Sequence, residues 1–340
     1  MNGVRRQASQ RPILLISLAI IAAILAYLII AIWPEWLVDL LGRKRTFVNT
    51  LLNGLTLAGL YFLVASGFTL VFGLMRNVNL AHGSMYLLGA YIGFEAAEAS
   101  GSWFFGAAVA FVSMAVIGAI LQVVVFRRMQ GDDLRQTLIT IGISIVAADL
   151  MLAVWTGTTY QFNPPDWLFG AVQLPVVSSI RSSGEAVMIT YPVYRLTVLG
   201  IAVAVGAALW LFLNRTRIGM MIRAGVNDRE MLAASGFNVQ LVFALVFALG
   251  AGLAGFAGVI GGTALSISPG DDVRYLLASL IVVIVGGMGS ISGAAVGARL
   301  IGMAEQCGLA YFPTYGVVLT FVIMIVVLAV RPEGSMGGRL

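Results

Sequence analysis

The stretch NRTRIGMMIRAGVNDREMLAASGFN, residues 214–238, is a charged and helix-prone segment between long apolar runs. Its arginines are Arg215, Arg217, Arg223 and Arg229. The uncharged run 231–270 overlaps its end and is long enough for a membrane-spanning helix of about 20 residues with an irregular tail. A chain that otherwise avoids charge thus has a polar helical segment beside a span, which predicts a contact with something outside the bilayer.

The rest of the chain has the composition of a membrane protein. Of its 340 residues, 60% are hydrophobic and 10% are charged, whereas soluble domains have roughly 25% charged residues. Runs without Asp, Glu, Lys or Arg are residues 13–33, 47–75, 77–94, 99–126, 275–298 and 306–330. We therefore predict an all-α polytopic membrane protein with about eight to ten spanning or re-entrant helices.

Composition and motifs exclude several functions. The pI is about 9.6, but the basic residues lie in short loops between apolar runs, as topology signals do, so no nucleic-acid partner is predicted. The sequence has no H-E-x-x-H, G-x-S-x-G or Walker lysine motif, and we predict no catalysis and no cofactor in this chain. Asp132-Asp133 and Asp271-Asp272 each precede an arginine and are interpreted as solvated loop charges.

The N-terminus is predicted to contain a retained span. Arg5, Arg6 and Arg11 precede the apolar run 13–33, which is longer than the 7–15 apolar residues of a signal peptide and has no small-x-small cleavage site. Residues 1–46 are therefore predicted to be an extra N-terminal span and an interfacial linker, and residues 47–334 to be the main transmembrane domain.

Basic loops predict the orientation, because Lys and Arg accumulate in short cytoplasmic loops. Loops 127–136 and 214–238 are predicted to be cytoplasmic, with both chain termini. Segment 157–190, with one arginine and three prolines, is predicted to be a small ordered loop or hairpin outside. The basic residues 43–45 disagree with this topology. Either they belong to an interfacial helix with snorkelling arginines, or residues 13–33 do not fully cross.

Glycines predict a broken helix within residues 276–306. The segment Gly286-Gly287-Met288-Gly289-Ser290 interrupts the apolar pattern, and glycine is costly in a helix interior. Two helices meeting at this turn, as a re-entrant or broken unit, would leave the C-terminus inside. Small residues also recur every four positions at Gly250, Ala254, Gly258 and Gly262, and at Gly289, Gly293 and Gly297. We interpret these rows as close packing within the chain rather than as a dimer interface.

Polar residues within apolar runs are candidate pathway residues, because burying them costs free energy unless they are paired or hydrated. Asn53, Asn79, His82 and Asp149 are predicted to line a translocation pathway, and the first three to face a shared cavity. The alternatives are a hydrogen-bonded His82 at a capped helix start, an interhelical hydrogen bond of Asn53, and a structural partner for Asp149. Glu305 is interpreted as structural, near a span end.

Three stretches, residues 47–91, 214–262 and 281–306, resemble the H-type permease subunit of branched-chain amino acid (Liv-type) ABC importers. The matching strings are LLNGLTLAGLYFLVASGFTLVFGL, NLAHGSMYLLGAY, TRIGMMIRAGVNDREMLAASGFN, GAGLAGFAGVIGG and VGGMGSISGAAVGARLIGMAE. They occur in family order over residues 47–334. Asn-x-Ala-His-Gly and Gly-Gly-x-Gly-Ser are specific in combination.

The resemblance implies an ABC importer permease bundle in the bacterial inner membrane. Such permeases pair with a homologous second permease, bind two cytoplasmic ATPases that hold ATP and Mg²⁺, and receive substrate from a periplasmic binding protein. The family's coupling helix falls on residues 223–236. The implied ATPase contacts are Arg223, Ala224, Asp228, Ala233 and Gly236.

The implied function is ATP-driven import of branched-chain amino acids, or of a related small amino acid or amide, by alternating access. The alternative is an ion-coupled secondary transporter with Asp149 or His82 as its coupling site. Two departures from the family leave the substrate open. The 13–33 span is extra, and Asp149 stands where many members have an uncharged polar residue.

Overall fold

The computed structural model describes residues 43–75, 78–129, 131–180, 186–227, 229–331 and 334–336. The predicted N-terminal span 13–33 and Asp228 lie outside the described residues. Two compact units can be separated. Of the described residues, one unit contains those up to Thr50 and those within Ala171–Tyr191, and the other contains those within Leu51–Gly170 and from Pro192 onward.

The described residues are mainly helical. The helices are α1 (Lys44–Met75), α2 (His82–Ser100), α3 (Trp103–Val124), α4 (Asp133–Trp155), α5 (Val193–Arg215), α6 (Arg217–Asn227), α7 (Arg229–Ala234), α8 (Val239–Leu265), α9 (Asp271–Gly286), α10 (Ile291–Tyr311) and α11 (Gly316–Val330). Strands β1 (Ala171–Ile180) and β2 (Ala186–Pro192) pair in a two-stranded sheet, in the region where a small loop or hairpin was predicted.

The all-α polytopic fold is confirmed by the length and composition of these helices. Within the described residues, α1, α3, α4, α5 and α8 are each long and apolar enough to cross a membrane. The pair α9–α10 is bent by 115° and raises the number of candidate spans from 5 to 6 if it counts as one broken span. The remaining predicted segments correspond to shorter or more polar helices, such as α2 and α11.

The bend between α9 and α10 lies at the predicted glycine turn. Gly287 and Gly289 have φ angles of 109° and 82°, in the region that only glycine enters without strain. The Ser290 hydroxyl then caps α10 by accepting a hydrogen bond from the Gly293 amide at 3.0 Å. Ser335 and Met336 donate their amides to the carbonyls of Val285 and Gly286, which end α9. The predicted broken helix is therefore confirmed.

The rows of small residues lie where helices of this chain touch. A Cβ atom on Gly250 would meet the Gly67 carbonyl of α1 at 2.8 Å, and one on Gly258 would collide with the Tyr86 carbonyl of α2. A Cβ on Gly293 would collide with the Gly286 carbonyl across the α9–α10 turn. Small residues therefore bring helix backbones close together. The interpretation as packing within the chain is confirmed.

Candidate functional site

The arginine-rich segment folds as two short helices, α6 and α7, directly after α5. The Thr216 hydroxyl starts α6 by accepting from the Gly219 amide at 3.0 Å. Ile222, on the inner face of α6, packs in a buried cluster with Leu74 of α1 and Val246 of α8. A Cβ atom on Gly225 would lie 3.1 Å from side-chain atoms of both Leu74 and Leu232. The segment is thus an amphipathic element attached to the helices by its apolar face.

The predicted ATPase contacts that the structure describes lie on the outer face of this segment. Arg223, Ala224, Ala233 and Gly236 are all exposed. The guanidinium of Arg223 donates to Asn214 Oδ1 at 2.9 Å, which orients it along the surface. Gly236 ends α7 with a φ of 83°, a backbone conformation that favours glycine. Small side chains and one fixed cation are therefore available to a partner.

A cleft of about 710 Å³ opens beside these residues. It is lined by Arg217, Met220, Met221, Ala224, Met231, Leu232, Ser235 and Phe237. Methionine is flexible and adapts to the surface packed against it, which suits a site that must accept another protein. This cleft was not predicted from the sequence. The methionines at positions 220, 221 and 231, in an otherwise charged segment, were the available signal.

His82 and Asn79 lie at the start of α2, and both are engaged there. The His82 ring is buried, with Nε2 3.0 Å from the Val64 carbonyl of α1 and its edge against Phe68. Asn79 Oδ1 accepts from the Ala81 amide at 3.1 Å. The bond to Val64 supports the alternative of a hydrogen-bonded histidine. The start of α2 has no side-chain cap, because Asn79 bonds to Ala81, the residue before the helix. The predicted pathway role of both residues stays a prediction.

Asn53 is not brought together with His82 and Asn79. Its Oδ1 accepts from Arg195 Nη1 of α5 at 2.5 Å, as the alternative of an interhelical hydrogen bond required. Val64, whose carbonyl is hydrogen-bonded to His82, lies about three helical turns beyond Asn53 on α1, which is roughly 16 Å along the helix. The structure thus separates the residues for which a shared cavity was expected.

Asp149 lies on the outward face of α4, which is otherwise apolar. Its neighbours Ile145, Val146 and Leu150 are more than half exposed within this chain, and Asp149 is exposed with them. A carboxylate at the centre of a span costs about 2.5–3.5 kcal/mol on insertion scales. Contact with another protein or with water would remove that cost, as would a position near the membrane surface.

Two further charged residues, Asp272 and Glu305, are buried, and the sequence interpretation of Asp272 is wrong. Asp272 is not a solvated loop charge, because it lies in the first turn of α9 and is only 4% exposed. Glu305 is also buried, about 9 Å before the end of α10, where Tyr61 of α1 donates to it at 2.6 Å. Arg274 of α9 approaches the same carboxylate at 3.7 Å. Tertiary packing, rather than sequence spacing, assembles this group.

Comparison with known proteins gives consistent matches. Residues 50–328 match the family model described as branched-chain amino acid transport system / permease component. The permease protein BraD of the high-affinity branched-chain amino acid transport system of Pseudomonas aeruginosa is 30% identical over 306 residues, 86% of this chain and 96% of BraD. The corresponding LivH of Escherichia coli K12 is 31% identical over 304 residues, again 86% and 96%.

More distant similarity reaches another transport system. The ribose import permease protein RbsC of Escherichia coli K12 is 27% identical over 280 residues, 79% of this chain and 81% of RbsC. No solved structure gives a significant match. The family match covers most of the chain, and the described helices have the length and composition of membrane spans. The chain therefore belongs to the H-type permeases of branched-chain amino acid ABC transport systems.

Proposed function

We propose that this chain is the transmembrane subunit of an ATP-driven importer for branched-chain amino acids or a related small amino acid or amide. The observation that carries the proposal is the α6–α7 segment. It is attached to the transmembrane helices by its buried face and leaves Arg223, Ala224, Ala233 and Gly236 exposed. Family membership supports this interpretation, as do relatives named for branched-chain amino acid transport.

The proposed complex contains a homologous second permease, two ATPases that bind ATP and Mg²⁺, and a periplasmic binding protein. The ATPases would bind the α6–α7 segment, which places this segment and both chain termini in the cytoplasm. Residues 157–190 would then be periplasmic. The arginines of loop 127–136 would be cytoplasmic too, as the distribution of basic residues in membrane proteins favours.

Alternating access requires that movement of the ATPases reach the helices. A route for it begins at α6, where Ile222 and Gly225 pack against the last turns of α1 at Leu74. One residue earlier, a Cβ on Gly73 would lie 3.2 Å from the Cα of Gly289, in the turn between α9 and α10. We propose that a shift of α6 is transmitted through the end of α1 to this glycine turn, where the backbone can change direction at low cost.

Reconstitution tests the proposal directly. The purified permease pair is assembled in proteoliposomes with its ATPases and binding protein, and uptake of radiolabelled leucine is measured with and without ATP. We expect uptake that needs ATP and all partners. Uptake by this chain alone, driven by a proton or sodium gradient without ATPases, would instead establish the ion-coupled alternative.

Replacing His82 by glutamine separates the two mechanisms further. Because His82 is buried and bonded to the Val64 carbonyl, glutamine can donate a similar hydrogen bond, and we expect ATP-driven uptake within about twofold of wild type. The stability of the purified variant is measured in parallel by thermal unfolding in detergent. Loss of uptake in a variant of normal stability would contradict a purely structural histidine.

A further inference from the structure

An arginine and a glutamate lie side by side where α9, α10 and α1 meet. Arg274 Nη2 is 3.7 Å from Glu305 Oε1, while Tyr61 donates to the other oxygen, Oε2, at 2.6 Å. The two charged side chains differ in exposure, since that of Arg274 is 53% exposed and that of Glu305 12%. Glu305 is thus held in the interior of the chain, and Arg274 extends from it to the surface.

The pair lies at membrane depth. Tyr61 is near the middle of α1, about 21 Å along the helix from Met75 at the end that packs against α6. The apolar part of a bilayer is about 30 Å thick. Arg274 therefore lies in the first turn of a helix, beside the middle of α1, rather than in a loop outside the membrane. Its exposed neighbours on α9 are Val273 and Leu277.

Aromatic side chains fix the position of this arginine. The centre of its guanidinium is 5.9 Å from the ring centroid of Tyr275, within the range of a cation–π contact. Tyr275 is 3% exposed and packs against Tyr86, with ring centroids 4.2 Å apart. Tyr275 also makes an edge-to-face contact with Tyr61, with ring centroids 6.4 Å apart, which connects the aromatic residues to the tyrosine that binds Glu305. A rigid aromatic base thus supports the cation.

The guanidinium retains capacity for another ligand. It has five N–H donors, and in the part of the chain that the structure describes its one acidic neighbour within 4.0 Å is Glu305. That separation of 3.7 Å exceeds the roughly 2.7–2.9 Å of a charge-assisted hydrogen bond. Exposure of an arginine to lipid at this depth is unfavourable. The face of α9 that bears Arg274 therefore fits a hydrated pathway through the membrane.

We propose that Arg274 binds the carboxylate of the transported amino acid on its way through the permease, with Glu305 and Tyr61 as positioning residues. The proposal rests on the import function above and makes it more specific. A planar guanidinium forms paired hydrogen bonds with a carboxylate, whereas a neutral amide or urea gains much less from it. The substrate is accordingly a free amino acid rather than an amide, which the sequence left open.

The test uses the complete reconstituted transporter with Arg274→Gln and Arg274→Lys variants, and measures initial rates of leucine uptake over a range of leucine concentrations. Losing a charged hydrogen bond should raise the apparent KM for leucine about tenfold or more in Arg274→Gln. The apparent KM of Arg274→Lys should lie between those of Arg274→Gln and wild type, because lysine keeps the positive charge but lacks the planar guanidinium. ATPase co-purification should stay at the wild-type level, because the substitution leaves the α6–α7 segment unchanged.

The matched control is Arg135→Gln, which removes an exposed arginine paired with Asp132 at the start of α4 and should leave the KM unchanged. A purified Arg274→Gln complex that imports leucine with a wild-type KM would overturn the proposal. If the Arg274→Gln complex does not assemble, a wild-type KM of the Arg274→Lys complex would overturn it instead. If the wild-type complex imports no amino acid in the presence of ATP, the proposed import function is wrong, and the proposed role of Arg274 is wrong with it.

Discussion

The Ala233→Arg variant is expected to insert and fold normally and to lose its ATPase. Ala233 is exposed on α7, so the longer side chain meets solvent within this chain and little packing changes. In the proposed complex the same position lies against the ATPase, where a bulky cation replaces a methyl group in a close-packed contact. Substitutions at the centre of such interfaces cost 2 kcal/mol or more, so recovery of the ATPase by affinity purification should fall by about thirtyfold or more.

The matched control is Ala99→Arg. Ala99 is an exposed alanine in the last turn of α2, away from the α6–α7 segment. The same change of charge and volume at this position should leave ATPase recovery unaltered. Normal recovery with Ala233→Arg would show that α7 is not where the ATPase binds. Loss with both variants would indicate a general effect of added charge rather than a docking contact.

The Gly258→Leu variant is expected to destabilise the transmembrane helices strongly. A Cβ atom at this position would collide with the Tyr86 carbonyl of α2 and would lie 3.0 Å from the Ala90 side chain. Backbone cannot move aside as a flexible side chain can, so α2 and α8 must separate. Overpacking usually costs about 1–3 kcal/mol, and a clash with backbone belongs at or above the top of this range. Thermal unfolding in detergent measures the loss.

Gly200→Leu is the matched control for this variant. Gly200 lies within α5, and a Cβ atom there would meet no atom within 4 Å. Both substitutions replace a helical glycine by leucine and gain similar helix propensity. Their difference in melting temperature therefore isolates the interhelical clash. Equal melting temperatures would contradict the close approach of α2 and α8.

Features that depend on local backbone chemistry could be predicted from the sequence. The break at residues 287–290 follows from glycines that adopt positive φ, and it was predicted at the residues where it occurs. The contacts of Gly250 and Gly258 follow from the spacing of small residues along one helix face. The arginine-rich segment was predicted to be helical and in contact with something outside the bilayer, because its residues are helix-prone and charged.

Features that depend on contacts between distant residues could not be predicted in the same way. Asn53 and His82 are both polar residues in or beside apolar runs, yet one bonds to Arg195 and the other to the Val64 carbonyl. Glu305 was interpreted as a residue near a span end, and only the approach of Tyr61 and Arg274 reveals a buried ion pair. Sequence spacing does not specify which helices become neighbours.

The sequence by itself determined that this chain lies in a membrane, that a glycine turn breaks one of its helices, and that residues 214–238 form a polar helical segment. These properties depend on hydrophobicity and backbone conformation, which each stretch of sequence contains within itself. Only the tertiary structure decided that Tyr61, Arg274 and Glu305, from three separate helices, form one group at membrane depth. The physical reason is that a charge in an apolar environment is stabilised by the partners that packing brings to it, and those partners are distant in the sequence.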